Sequence, residues 1–530
     1  MSSPARQLCF VLVFATAAAA CAGGRKDAPV QGSAPAAAPL PTPTPPEPPP
    51  ANVDVEPSTA HVRGAQMIGR CEGGEDAKRV QRFTLAHFND LQARYSDRLA
   101  GKSRYAYIAG YLRRLKEDVP ETLVLDAGDD YEKGAVTELR SMGESTRQMV
   151  QSLPIDVRTI GNHDFAYGED AVLRDVRQSA HPVLAANIHH KNLSDDEQPF
   201  QKFVRVDVGC VRVGIIGLVT QNYGADDQPT KDAFDGVFEH DAKYTQALAR
   251  EIAAHRGEVD VMIALTHLGL WEDSVLAMSP ATKGLDMVVG AHTEDLVPHP
   301  LSVGRADGSR TWVVQAGHYG RTLGRADFAF DPKDRKLAIE KYRIVDVDAS
   351  LPVADDVADL ADRLEQKYAP DAHQPIATAQ SSIERRDMPE LLWRAAQSTW
   401  EADALVVGRD LFWDGLPKGP ITLQRMYDAV LVQRQPAGTS GFSSIWVVEM
   451  SGADLDRYKH RVRGGWYEML GAPAKIDPKR TYRVAMDKRV LTYPRTIFGE
   501  PKLAGTYEGE MIDALEAYAR ARTLAGKTLD

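Results

Sequence analysis

Cysteine is nearly absent: Cys9, Cys21, Cys71 and Cys210 are the four in a chain of 530 residues. So few exclude a disulfide-built scaffold, and their wide spacing excludes the close pairs of a zinc finger. An excess of positive charge is also missing. With 63 Lys and Arg against 74 Asp and Glu, the formal net charge is -11, so the chain lacks the basic footprint that nucleic-acid backbones require. No nucleic-acid polymer is expected as a partner. The apolar run 8–20 is too short to cross a bilayer as a mature helix. Hydrophobic residues at 43% and charged residues at 26% are ordinary globular values, which exclude a polytopic membrane protein and a wholly disordered chain.

What the N-terminus does have is a leader pattern. Arg6 precedes the run 8–20, and the small residues Ala17 to Ala20 lead directly into Cys21. The stretch resembles a bacterial lipobox, which implies removal of residues 1–20 and acylation of Cys21 as the mature N-terminus. Ala22 in place of Asp is similar to lipoproteins sent to the outer membrane. Residues 21–78 then form an Ala/Pro-rich tether in which eight of the twelve residues 39–50 are proline, an extended spacer without core-forming capacity. Membrane attachment is therefore expected through the lipid anchor only, with the body facing the periplasm or the cell surface.

From Arg82 onward, short apolar runs alternate with amphipathic stretches. Strands are expected at 83–87, 123–125, 157–160, 183–186, 211–219, 259–265, 287–289 and 311–315, and helices at 103–119, 143–152 and 241–255. This is the pattern of a layered α/β domain, placed at 79–350. Residues 351–375 contain a charged amphipathic helix with Val357, Leu360, Leu364 and Tyr368 on one face. A smaller α+β region, 376–530, mixes a helix at 388–399 with strands at 444–450 and 481–486. Cys71 and Cys210 can pair or stay free in an oxidising compartment.

Five of the expected strands run straight into metal-capable side chains: Asn89-Asp90-Leu91-Gln92, Asp126-Ala127-Gly128-Asp129, Gly161-Asn162-His163-Asp164, Thr266-His267 and Gly290-Ala291-His292-Thr293-Glu294. In α/β sheets ligands gather beyond the carboxyl ends of strands. One such cluster is ordinary turn chemistry. Five in the same position relative to their strands point to one shared crevice.

These motifs, in this order, resemble those of the calcineurin-like metallophosphoesterases, and within them the two-domain 5'-nucleotidase family. The resemblance implies an N-terminal four-layer α/β/β/α domain and a C-terminal substrate domain. It also implies two divalent metal ions bridged by Asp129. One ion would take Asn162, His267 and His292, a set suited to Mn, Zn, Fe or Co. The other would take Asp90, Gln92 and Glu294, an oxygen-only set that favours Mn, Mg or Ca. The family usually has His at the position of Gln92, and His or Gln at that of Glu294. His163 matches the family's catalytic histidine, but its orienting Asp three residues later is Ala166 here. His318, near a strand end, is a candidate to support a ligand from behind.

The family's C-terminal Asn-x-Gly-Gly-Ile-Arg motif and its stacking aromatics are absent. Phe412, Trp413 and Phe498 could supply a stacking surface by another route, and Arg409, Arg434 and Arg495 could supply phosphate contacts. The expectation is an exported phosphoric ester hydrolase, 5'-nucleotidase-like, in which a hydroxide held between two ions attacks a small phosphorylated substrate. The rivals are a metal-containing binding lipoprotein that has lost turnover, and a phosphoesterase for a non-nucleotide ester.

Overall fold

Strand Gln81–Phe88 explains the architecture of the first 350 residues. Its Phe83 and Leu85 face one apolar layer while Ala86 and Phe88 face another, so the strand is buried on both sides. The computed structural model describes residues 66–220, 237–241, 243–432, 443–462, 466–492, 498 and 503–529. The leader, Cys21, Arg434 and Arg495 lie outside them. Among the described residues no helix is long and apolar enough to cross a membrane.

Gln81–Phe88 is a central strand of a six-stranded sheet ordered Lys336–Asp346, Thr322–Asp331, Gln81–Phe88, Thr122–Asp126, Val157–Thr159, Val183–Leu184. A seven-stranded sheet is ordered Gln66–Ile68, Phe203–Val208, Val211–Val219, Val261–His267, Met287–Val289, Arg310–Val314, Leu301–Gly304. Leu85, Leu125 and Val157 of the first pack on Val213, Ile263 and Met287 of the second to form the inner core. Helices Arg104–Asp118 and Asp355–Tyr368 cover the outer face of the six-stranded sheet, and Tyr244–His255 and Leu270–Met278 cover that of the seven-stranded one. The result is the expected four-layer α/β/β/α sandwich.

The expected elements fall within a few residues of those observed. Helix Asp355–Tyr368 starts only after Ala354, which is extended, and Asp355 and Asp356 occupy the first turn, where the helix dipole favours negative charge. Its Val357, Ala361 and Leu364 are fully packed on the N-terminal layers. Cys71 and Cys210 form a disulfide, tying the chain after strand Gln66–Ile68 to the two-residue turn between Phe203–Val208 and Val211–Val219.

The C-terminal region is α+β. A five-stranded sheet ordered Tyr467–Leu470, Ala404–Gly408, Thr481–Asp487, Ser444–Ser451, Thr506–Glu510 carries helices Met388–Thr399 and Met511–Leu524 on one face and Gly452–Arg461 on the other. It packs against the loop after Asp129: Val136 and Leu139 enter its core, and Gln424 accepts from Val136 N–H at 3.1 Å and donates to Gly134 carbonyl at 2.8 Å.

Candidate metal centre and active site

The strands ending in the five polar clusters are parallel to one another within each sheet, and all five clusters emerge at strand carboxyl ends. Asp129, His267 and His292 bring potential ligand atoms within 4.8 Å of one another. His267 Nε2 is 3.0 Å from Asp129 Oδ2. The other ring nitrogen donates to the Ala127 carbonyl at 2.8 Å, which fixes the tautomer and leaves the Nε2 lone pair for a ligand. Asp129 Oδ1 accepts the His163 backbone N–H at 2.8 Å. The backbone is strained around the site: Asp90, Gln92, Asp129, Glu132, Lys133, His292 and Glu294 all have positive φ, a region that non-glycine residues seldom adopt.

The donor set fits a divalent cation. Both polar atoms of the Asn162 side chain, Asp90 Oδ1 and Gln92 Oε1 are buried without a hydrogen-bond partner, which is costly unless a ligand satisfies them. The local field favours positive charge. Burial works against a charged His267, yet Asp129 and Asp90 outweigh it and lift the pKa to about 10. Burial, helped by the nearby His267, lowers His292 to about 3, and burial raises the Asp90 carboxyl to about 7. His267, Asp129 and His292 thus gather, and the Asn162 amide precedes His163, whose backbone N–H holds Asp129.

The second half is built differently. Gln92 Nε2 donates to Glu294 Oε1 at 3.1 Å, so the two replaced positions contact each other. Lys133 Nζ is 3.4 Å from the same oxygen, and His318 Nδ1 is 3.4 Å from Glu294 Oε2. His318 therefore stands behind Glu294. Lys133 was not legible as a site residue: nothing in its motif shows that a left-handed turn sends it back into the crevice.

His163 Nδ1 makes a short hydrogen bond to Glu132 Oε2, and both side chains are buried. Burial raises the Glu132 carboxyl and lowers the His163 imidazole. Asp164, also missed as a functional residue, accepts the backbone N–H groups of Asp129, Asp130, Tyr131 and Gly161 at 3.2, 2.8, 3.3 and 2.7 Å, joining the two loops that carry Asp129 and His163.

Residues 83–294 match the calcineurin-like phosphoesterase family model. A snake venom 5'-nucleotidase from Gloydius brevicauda is 30% identical over 284 residues, 47% of this chain and 46% of that protein. Protein UshA of Yersinia enterocolitica is 23% identical over 481 residues, 76% and 84% of the two chains. Residues 83–294 therefore carry a calcineurin-like phosphoesterase domain, and the chain is similar to 5'-nucleotidases. It spans about half the length of the venom relative it matches. The 5'-nucleotidase precursor from Thermus thermophilus has the same fold, with a TM-score of 0.65 at 21% identity, over 83% of this chain and 96% of that one.

Among the described residues the C-terminal candidates do not converge. Phe412 is wholly buried in the core beside Leu411 and Leu416, and Phe498 is wholly buried against Tyr458, ring centres 4.4 Å apart. Neither ring has a face to offer a base, which corrects the expectation for both. Aromatic residues counted in a sequence do not reveal whether they stack on ligand or on core. Trp413 is only partly buried, and the Lys133 ammonium lies 5.5 Å from its ring centre, so it is the one of the three beside the metal centre. Arg409 is exposed and pairs with Glu468 at 3.2 Å. With Arg385 and Arg386, which the sequence reading passed over, it lines a cavity of about 430 Å³. Arg385 also donates to the Phe412 carbonyl, one residue from Trp413.

Proposed function

We propose that this chain is an exported, divalent-metal-dependent phosphoric ester hydrolase acting on a small phosphorylated molecule. The observation that carries the reading is the buried set Asp129, His267 and His292 with the unsatisfied Asn162 amide beside it. Divalent ions in this set would polarise a phosphoryl oxygen and make water nucleophilic near neutral pH. Asp129 would bridge, Asn162, His267 and His292 would hold the imidazole-rich half, and Asp90, Gln92 and Glu294 the oxygen-rich half, with Mn, Zn, Fe or Co suited to the first and Mn, Mg or Ca to the second.

The protein's own groups supply the rest. His163, its Nδ1 engaged by Glu132, holds a proton at Nε2 for the departing oxygen and so limits the negative charge that develops there. Lys133 and the Arg385, Arg386 and Arg409 cavity offer cations to an anionic substrate. Trp413 gives the crevice one aromatic wall. Export is supported by the leader pattern and by the Cys71–Cys210 disulfide, and acylation of Cys21 with outer-membrane attachment belongs to the same proposal.

The burial of Phe412 and Phe498 favours a second reading of the substrate, an ester without a nucleobase, because neither of these rings can stack on a base. One experiment tests both: metal content of the purified chain, with turnover of p-nitrophenyl phosphate, bis-p-nitrophenyl phosphate and AMP in Mn, Zn, Mg and Ca. Turnover abolished by His163→Ala with metal retained supports the hydrolase. Hydrolysis of the aryl esters but not AMP selects the non-nucleotide reading, and no turnover with any metal leaves a binding lipoprotein.

A further inference from the structure

We propose that Glu132 is the positioning residue of His163, taking over from another element the task left vacant by Ala166. The inference rests on the phosphoesterase reading above. Ala166 closes the 3-10 turn His163–Phe165, with its N–H bonded to the His163 carbonyl at 3.0 Å. A carboxylate there would be the natural neighbour of the histidine, but the position is wholly buried in an apolar cluster with Tyr131 and Tyr167. An ionised group has no partner in such surroundings. The carboxylate that reaches His163 Nδ1 instead comes from the loop after Asp129.

Three features hold Glu132 to that duty. Its side chain is 3% exposed, so its conformers are few. Its backbone has φ 68°, and its N–H donates to Glu138 Oε1 at 2.7 Å, which anchors the left-handed turn aiming the side chain inward. The Asp164 carboxylate, bonded to backbone amides of Asp129, Asp130, Tyr131 and Gly161, locks the Glu132 loop to the His163 turn. The spacing between carboxylate and imidazole is thus set by backbone bonds on both sides. The neighbouring carboxylates are otherwise engaged: Asp129 takes the His163 backbone N–H and Asp164 takes the loop amides. Glu132 therefore fixes the ring through Nδ1 and makes Nε2 the nitrogen that serves the reacting oxygen. Loss of such a partner misorients the ring without removing it.

The test compares Glu132→Gln, Glu132→Asp and the double variant Glu132→Gln with Ala166→Asp in the full metal-loaded chain, on a p-nitrophenyl and an alkyl phosphate ester. Glu132→Gln is expected to lower kcat about 100-fold on the alkyl ester and less than tenfold on the p-nitrophenyl ester, whose leaving group needs no proton, with KM and metal content unchanged. Glu132→Asp is expected to recover at least tenfold of the alkyl-ester loss. Recovery in the double variant would show that either element can carry the carboxylate, in support of the inference. An equal loss on both esters, or a loss that tracks metal content, would mean a merely structural role and would overturn the inference. Proton NMR of histidine-labelled chain separates the inference from the enzyme reading. A downfield Nδ1–H resonance, absent in both His163→Gln and Glu132→Gln, supports the pairing even if no ester is turned over, and its persistence in Glu132→Gln overturns it.

Discussion

Lys133 Nζ stands 3.4 Å from Glu294 Oε1, with the Trp413 ring on its other side. Glu294 brings a carboxylate to a position where the 5'-nucleotidase family usually has a neutral ligand, and the ammonium offsets that extra charge. Lys133→Met is therefore expected to strengthen divalent-cation binding at the Asp90, Gln92 and Glu294 half by about 1 kcal/mol, several-fold in affinity, since the pair is partly buried. Calorimetric titration of metal-stripped chain with Mn measures it. Unchanged affinity would show that Glu294 does not face the ion.

At the other half, His267 is buried, oriented by the Ala127 carbonyl and directed at Asp129. His267→Ala is expected to cost at least one equivalent of bound metal and to lower ester hydrolysis by more than about 100-fold, the scale carried even by groups that only support ligands. Elemental analysis beside activity checks both. Asn162→Ala should act in the same direction.

The Cys71–Cys210 disulfide closes a sequence separation of 139 residues and holds strand Gln66–Ile68 at the edge of its sheet. The Cys71→Ser, Cys210→Ser variant is expected to lose about 2–4 kcal/mol of stability, read as a lower urea midpoint, while metal content and kcat stay unchanged. Loss of activity at full stability would contradict a purely structural role.

His87 is fully buried on strand Gln81–Phe88, with the Tyr342 hydroxyl 3.1 Å from Nε2, and burial lowers its pKa to about 3. In the unfolded chain the ring titrates near 6.5. Between these values the unfolded state binds a proton that the folded state refuses, so stability is complete above pH 6.5 and falls as pH drops toward 3, by at most about 1.4 kcal/mol per pH unit. His181, lowered to about 3 chiefly by burial, adds in the same sense. Urea unfolding of metal-free chain at pH 7 and pH 4.5 should show the decline, and His87→Gln should make it shallower.

Much of the fold was legible because its strands are buried on both faces. Phe83, Leu85, Ala86 and Phe88 outnumber the polar positions of their strand, and Val211–Val219 and Val261–His267 are likewise mostly apolar. The metal candidates were legible because each follows its strand immediately. Glu132 and Lys133 were not, although they sit three and four residues beyond Asp129. Their side chains reach the site through consecutive left-handed residues, and a left-handed Glu or Lys has no compositional sign. Phe412 and Phe498 failed as substrate contacts for the opposite reason, since an aromatic residue suits a core as well as a pocket.

The sequence by itself determined the layered α/β class, the five strand-end clusters and the loss of the family's usual residues at Gln92, Ala166 and Glu294, because these depend on local pattern. Only the tertiary structure decided what compensates for them. Gln92 meets Glu294 across 202 residues, Lys133 meets Glu294 across 161, and Glu132 reaches His163 from a different loop across 31. Contacts of that range are made when separate strands bring their carboxyl ends together, within one sheet or between the two, and no stretch of the chain contains them on its own.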